Sequence, residues 1–267
     1  LFDFSVLAVA EPKAGIDPAA LLGTNAVVTI EIDKDKKRHF HGLVARAGLE
    51  SSVGRLIGWR LQLRPWLWLL TRRADSRVFQ NMTVEAIIKK VFEKYTGDVV
   101  FDLRGTFKPR LYCVQYRETD FNFVSRLMEQ EGIGYYFLHT EGHDTLVLTD
   151  STSKHTPVSG YETLPFVDPT ANTHRDVEQV SRWDFGREIQ PGVYVHDDYD
   201  LVRPSVELKT SKDLARNYSP SNYEVYDYPG LYLQKADGEQ YAHVRIDELG
   251  TQFETANAAT NARGLSV

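Results

Sequence analysis

Cysteine is nearly missing from the 267-residue chain: Cys113 stands alone, so no disulfide framework can be built within it. Long apolar runs are missing too. A membrane-spanning helix needs roughly 18 or more consecutive apolar residues, and the most apolar stretch, residues 66–70, is far shorter. There is no basic surplus: 31 Lys and Arg face 37 Asp and Glu, a formal charge of −6, which argues against a dedicated nucleic-acid binder. Apolar residues at 42% and charged residues at 25% exclude a disordered composition. No G-x-S-x-G elbow, Walker loop, G-x-G-x-x-G or H-E-x-x-H occurs. The opening Leu1-Phe2-Asp3-Phe4 lacks the basic and apolar segments of a signal peptide, and the chain closes on Gly264-Leu265-Ser266-Val267. Both ends read as cut, so a piece of a longer polypeptide is expected.

The remaining residues form an ordinary globular pattern that changes twice along the chain. Residues 27–32 and 40–47 are β-branched and apolar and predict a hairpin across a polar turn at 33–37; residues 55–64 suit a third strand. Short strands joined by turns favour a small antiparallel barrel or sandwich. From Val84, apolar residues at 84, 87, 88, 91, 92 and 95 draw one helical stripe, capped by Asn81 or Thr83 and stopped at Gly97, with a strand at 99–103 to follow. A second helix is expected from Thr119 to Glu131, and a hairpin from 134–138 and 145–149. Residues 151–175 read as a connection. Strands are then expected at 177–185, 193–195 and 206–209, a loop at 217–222, a Pro-Gly turn at 229–230 and a last helix over 238–262. The division is a β module at 1–73, an α+β module at 74–150 and a second β module with a helix at 151–267.

Catalytic and metal-binding readings find little support. Cys113 lies in an apolar run and reads as a buried, inert thiol. His39 and His41 share a strand face and could ligate a metal, as could His139, His143 and Asp144 around a turn, but no further ligand falls at a recognisable spacing. Asp197, Asp198 and Asp200 lack the glycine and glutamate of a calcium-binding loop and read as a solvated loop. Tyr135, Tyr136, Tyr194, Tyr223, Tyr226, Tyr228, Tyr232, Trp66 and Trp68 could stack on sugars, but half-buried strand aromatics are commoner. No catalytic residue, cofactor or metal is expected.

One block is distinctive. Residues 115–137 contain Gln115-Tyr116-Arg117-Glu118-Thr119-Asp120-Phe121, then Arg126, Glu129, Glu131, Gly132, Tyr135 and Tyr136. Read physically, Arg117, Glu118 and Asp120 sit at a strand-to-helix junction, where carboxylates suit the helix N-terminus and Arg117 can pair with them. Gly132 and Gly134 permit a tight return. That is a folding motif. The block closely resembles the signature of the valine-glycine repeat protein G (VgrG) family, the spikes of type VI secretion. In the same order, His41-Gly42-Leu43-Val44, Pro65-Trp66-Leu67-Trp68-Leu69-Leu70, Phe79-Gln80-Asn81-Met82-Thr83, and Tyr226-Asp227-Tyr228-Pro229-Gly230-Leu231-Tyr232 resemble further family motifs, the second as a strand ahead of the first helix and the third as the segment just before that helix.

The resemblance implies a fold like the baseplate hub of contractile-tailed phages: mixed β/α+β, with two small antiparallel β-barrel domains and an α+β module between them, the second barrel cut short. It implies a homotrimer whose six similar barrels match a hexameric tube protein by symmetry. Effectors or adaptors would be carried through parts beyond this sequence, and assembly would occur in the bacterial cytoplasm before injection into a target cell. Neither nucleic acid nor a membrane span is implied. A hub from a phage or related contractile particle, and a cell-wall hydrolase fragment, are the alternatives.

Overall fold

A computed structural model describes residues 1–33, 36–52, 54–151, 158–167 and 177–265. The tip of the turn expected at 33–37 and most of the connection expected at 151–175 lie outside these residues. Described residues up to 151, apart from Gln130–Gly132, form one compact unit; Gln130–Gly132 and described residues from 158 to 265 form a second.

The first unit opens with an antiparallel sheet of four strands, β1 (Phe4–Ala10), β2 (Asn25–Asp33), β3 (Lys36–Leu49) and β4 (Ile57–Arg64), in the order β1-β4-β3-β2. The expected β2–β3 hairpin pairs Val28 with Phe40. β1 was not foreseen; its register sets Phe4 beside Leu63. A bulge between Val44 and Arg46 shifts the β3–β4 register, a feature that bends a strand. A short helix, α1 (Pro18–Leu21), is capped by Asp17, whose carboxylate accepts from the Ala19 amide at 2.9 Å.

Residues 66–72 correct the sequence reading. They form a 3₁₀ helix, Trp66–Arg72, where an extended strand was expected. Trp66, Leu67 and Leu70 are all buried. A strand would turn adjacent residues 66 and 67 to opposite faces, whereas a helical turn sends both into one core.

The α+β elements follow: β5 (Ala74–Phe79), α2 (Val84–Phe92), β6 (Asp98–Asp102), β7 (Cys113–Thr119), α3 (Asp120–Glu131), β8 (Gly134–His139) and β9 (Asp144–Thr149). β5 pairs with β7, and the other sheet runs β6-β9-β8. The helical stripe of α2 is as expected, with Thr83 accepting from the Ala86 amide at 3.2 Å, but the helix stops at Phe92, short of Gly97. Gly97 instead lies flat against the Trp66 indole, where a Cβ would collide. Ile87, Ile88, Val91, Phe123, Leu127, Leu146 and Leu148 join Leu67 and Leu70 in one core.

In the second unit, β10 (Val180–Arg187) pairs with β14 (Glu254–Thr260) as an antiparallel ribbon. β11 (Val193–His196), β12 (Thr210–Asp213) and β13 (Glu224–Asp227) form a mixed sheet in the order β12-β11-β13. Helix α4 (Lys235–Gly250) packs Ala242 and Ile246 on Tyr194. Two expectations fail here. The last helix ends at Gly250, because Ala256 pairs with Phe185 in the ribbon and Phe253 precedes that strand. Residues 206–209 are not a strand; the strand begins at Thr210. The fold is β-rich and mixed, with two units of different construction.

Candidate functional site

The block at 115–137 folds into a polar knot at the join of β7 and α3. β7 lies beside β5, and a register shift opposite Ser76 leaves Tyr116 and Arg117 as the bulged residues. Arg117 takes φ +52° there, and its amide donates to Ser76 Oγ at 3.4 Å. The bulge keeps Gln115 pointing inward. Its side-chain amide donates to the Glu118 carbonyl at 3.1 Å and to Asp120 Oδ1 at 2.8 Å. Arg77 on β5 completes the knot, donating from Nε to Gln115 Oε1 at 2.8 Å and from Nη2 to Asp120 Oδ1 at 2.5 Å. The Tyr95 hydroxyl donates to Asp120 Oδ2 at 2.8 Å. Burial, and then the Asp120 carboxylate, push the Tyr95 phenol well above its ordinary range. Gln115 and Asp120 are fully buried. A charge in that position is tolerated only because every side of it is paired.

A second tie lies beside the first. Arg126 on α3 forks onto Glu118, with contacts from 2.7 to 3.1 Å, and donates to the Val114 carbonyl at 2.6 Å. Thr119 caps α3 by accepting from the Asn122 amide at 3.1 Å. The expected pairing of Arg117 with the neighbouring carboxylates is replaced. Asp120 is met by Arg77 and Arg73 and Glu118 by Arg126, while the Arg117 guanidinium lies over the exposed Tyr116 ring, 5.2 Å from its centroid. Strand alternation and the bulge point Arg117 away from the knot. Gly132 does take a left-handed φ of +71°, but Gly134 does not. Phe121 and Tyr135 pack on the core, Glu129 is exposed, and Glu131 and Tyr136 are half-buried.

The second motif builds a cage around Tyr232. Its hydroxyl donates to the Leu208 carbonyl at 2.7 Å and lies 3.2 Å from the His196 carbonyl and 3.3 Å from Thr210 Oγ1. Its ring lies 4.7 Å from the His196 ring. Gly230 and Gly238 leave room for it: a Cβ on either would strike the ring. The Asp197 carbonyl accepts from the Gly230 amide at 2.8 Å, and Asp198 Oδ2 from the Leu231 amide at 2.7 Å. Asp200 is buried and bound to Arg203, which holds its carboxyl below the usual range. This acidic loop is therefore a fastening more than a solvated loop. Tyr228 and Pro229 are exposed and bring no group into the cage.

The side chains weighed for chemistry are dispersed or buried. Cys113 is buried, and burial pushes its thiol up. His39 bonds the Thr29 hydroxyl at 3.0 Å, whereas His41 meets Asp144 at 2.7 Å. His143 contacts Asp98 at 3.9 Å. Among the described residues no group of His, Cys, Asp and Glu is arranged to hold a metal. Arg77, the pivot of the knot, was missed by sequence reasoning. Asp75-Ser76-Arg77-Val78-Phe79 has no polar–apolar alternation to give it away; only the burial of the folded strand, which puts Arg77 on the same face as buried Phe79, reveals it.

With that geometry in hand, comparison places the chain among known proteins. The model of the phage tail baseplate hub (GPD) family matches residues 1–267. The type VI secretion system spike protein VgrG1c of Pseudomonas aeruginosa is 42% identical over 247 residues, covering 92% of this chain. The chain spans 34% of the length of that relative. Among solved structures, the E. coli c3393 protein, a type VI secretion component similar to the T4 tail proteins gp27 and gp5, matches with a TM-score of 0.57 and 24% identity over 70% of this chain and 49% of its own. A tail protein of Neisseria meningitidis MC58 matches at 0.62 with 13% identity, over 95% and 69%. At these identities the structural likeness speaks to fold alone.

Proposed function

The chain belongs to the phage tail baseplate hub (GPD) family, and from that premise we propose that it is the structural hub portion of a type VI secretion spike. The observation that carries this reading is the 42% identity to a spike protein across 92% of the chain. We read the residues as trimerising, docking on the hexameric inner tube, and helping to deliver effectors or adaptors held by other parts of the polypeptide. Assembly is in the bacterial cytoplasm, followed by injection into a target cell. We read neither unit as an enzyme: Gln115, Glu118 and Asp120 are tied into the knot and Tyr232 into the cage, and the buried carboxylates are each paired, Asp120 and Asp200 with an arginine and Asp144 with His41. Each unit contributes one of two small β-barrels, with residues 74–150 as the α+β module between modules 1–73 and 151–267. The bulged four-stranded sheet and the β10–β14 ribbon support this division.

Light scattering on the 267-residue chain over a range of concentrations, followed by co-sedimentation with tubes of the hexameric tube protein, tests the reading. A trimer that sediments with the tube is expected. A stable dimer, or peptidoglycan turnover by the chain, would overturn it. The phage-particle alternative rests on fold likeness without comparable identity.

A further inference from the structure

We propose that His41, His139 and Asp144 form an acid-labile latch between the four-stranded sheet and the β6-β9-β8 sheet of the first unit. His41 on β3 and Asp144 on β9 are 103 residues apart in sequence, yet Nδ1 of the first lies 2.7 Å from Oδ1 of the second. Both are buried, at 6% and 5% exposure. The amide of His41 donates to Nδ1 of His139 on β8 at 3.3 Å. Two hydrogen bonds thus tie one β3 residue to two strands of the other sheet. Neither bond belongs to the knot or the cage.

The second bond sets the protonation state that the latch needs. Nδ1 of His139 accepts, so it carries no proton, and the imidazole is the neutral Nε2–H tautomer. A proton on Nδ1 turns the acceptor into a donor facing another donor, and the bond is lost. The charge would also sit among Phe2, Phe4 and Phe40, whose ring centroids lie 4.8, 5.5 and 6.2 Å from that of His139. The groups facing His139 divide. Burial is the largest influence and lowers the pKa; from β9, the Asp144 charge favours charging, and from β3 the charges of His41 and Arg38 oppose it more weakly. Oδ2 of Asp144 is buried without a hydrogen-bond partner, so the carboxylate gives the latch no second anchor. Because the folded pKa lies below the unfolded one, the latch contributes fully above about pH 6.5 and is lost as pH falls through the lowered value.

Two readings on the 267-residue chain test this: the His139 imidazole titration by NMR, and hydrogen exchange of the His41 amide between pH 7.5 and 5, corrected for intrinsic rate. His139 is expected to titrate below about 6.5. Protection of the His41 amide is expected to fall by up to about ten-fold per pH unit within that window, since one proton is released on closing. His139→Asn keeps an acceptor oxygen but cannot titrate, so its protection should be flat with pH. Protection in the wild type that is independent of pH, or a His139→Asn variant as pH-dependent as the wild type, would overturn the latch. Should the variant not fold, the two wild-type readings decide alone: a His139 pKa at or above about 6.5 with unchanged protection overturns it.

Discussion

The two units use similar parts, short strands and amphipathic helices, but bury them differently. In the first, α2, α3 and strands β5, β7, β8 and β9 converge on one large core that also takes the 3₁₀ turn at Trp66–Arg72. A charged knot sits at the edge of that core, with both carboxylate oxygens of Asp120 accepting hydrogen bonds. In the second unit the described core cluster is small, Tyr194, Ala242 and Ile246, and the β10–β14 ribbon turns Trp183 and Phe185 to solvent at 59% and 53% exposure. The first unit draws its stability from its own interior. The second relies on a few anchors, above all the caged Tyr232, and leaves a paired apolar surface on its ribbon. Surfaces of that kind mark contact sites more often than idle exterior.

The largest expected effect falls on the knot. Asp120→Ala strips Arg77 and Gln115 of their shared partner; Arg77 keeps only the looser Asp75 ion pair at 3.6 Å, so the loss is expected at the lower end of the buried-pair range, about 3 kcal/mol. Urea unfolding followed through Trp59, Trp66 and Trp68 should register that loss; a change below about 1 kcal/mol would show that the knot is not a structural tie. Tyr232→Phe probes the corresponding anchor of the second unit. It removes one hydroxyl and leaves the Leu208 carbonyl unpartnered, for about 1–2 kcal/mol. If calorimetry finds it as costly as Asp120→Ala, the two units do not differ in the way described.

Gly238→Ala sharpens the same contrast. A Cβ there would sit 2.5 Å from the Tyr232 ring. Overpacking of about 1–3 kcal/mol is offset by close to 1 kcal/mol of helix propensity. A small net loss in melting temperature is expected, and a gain would mean that the cage is loose. Trp183→Ser should be nearly silent for the stability of the isolated chain, within about 0.5 kcal/mol, as for exposed positions generally. Its effect should appear instead as weaker self-association by light scattering. A large fall in stability would place Trp183 in a core and not on an outward face.

How much was legible in advance follows the same divide. The stripes of α2 and α3 repeat at helical period, Thr83 and Thr119 are good caps, and β8 and β9 are short apolar runs on either side of a polar turn, so these elements could be read directly. Residues 66–72 could not, because a short apolar run fits a strand or a helical turn equally well. The helix expected to 262 failed for a related reason. Ala256 stands at helical spacing from Ile246 and Leu249, but its pairing with Phe185 is made by a strand some 70 residues earlier in sequence, and sheet pairing overrode local propensity.

Of the motif residues, the sequence by itself determined that Glu118 and Asp120 stand at a helix start, that Gly132 ends the helix, and that no nucleophile–base motif accompanies them. It also carried the family resemblance that the full-length match bears out. Which arginine answers each carboxylate was decided by tertiary structure. Arg117 is nearest in sequence, but the bulge turns it outward, and the β5–β7 register brings in Arg77, 43 residues from Asp120. In the same way strand order placed His41 against Asp144 across the first unit. Local periodicity follows from neighbours along the chain. The partner of a buried charge is set by which strands lie side by side, and that depends on the whole unit at once.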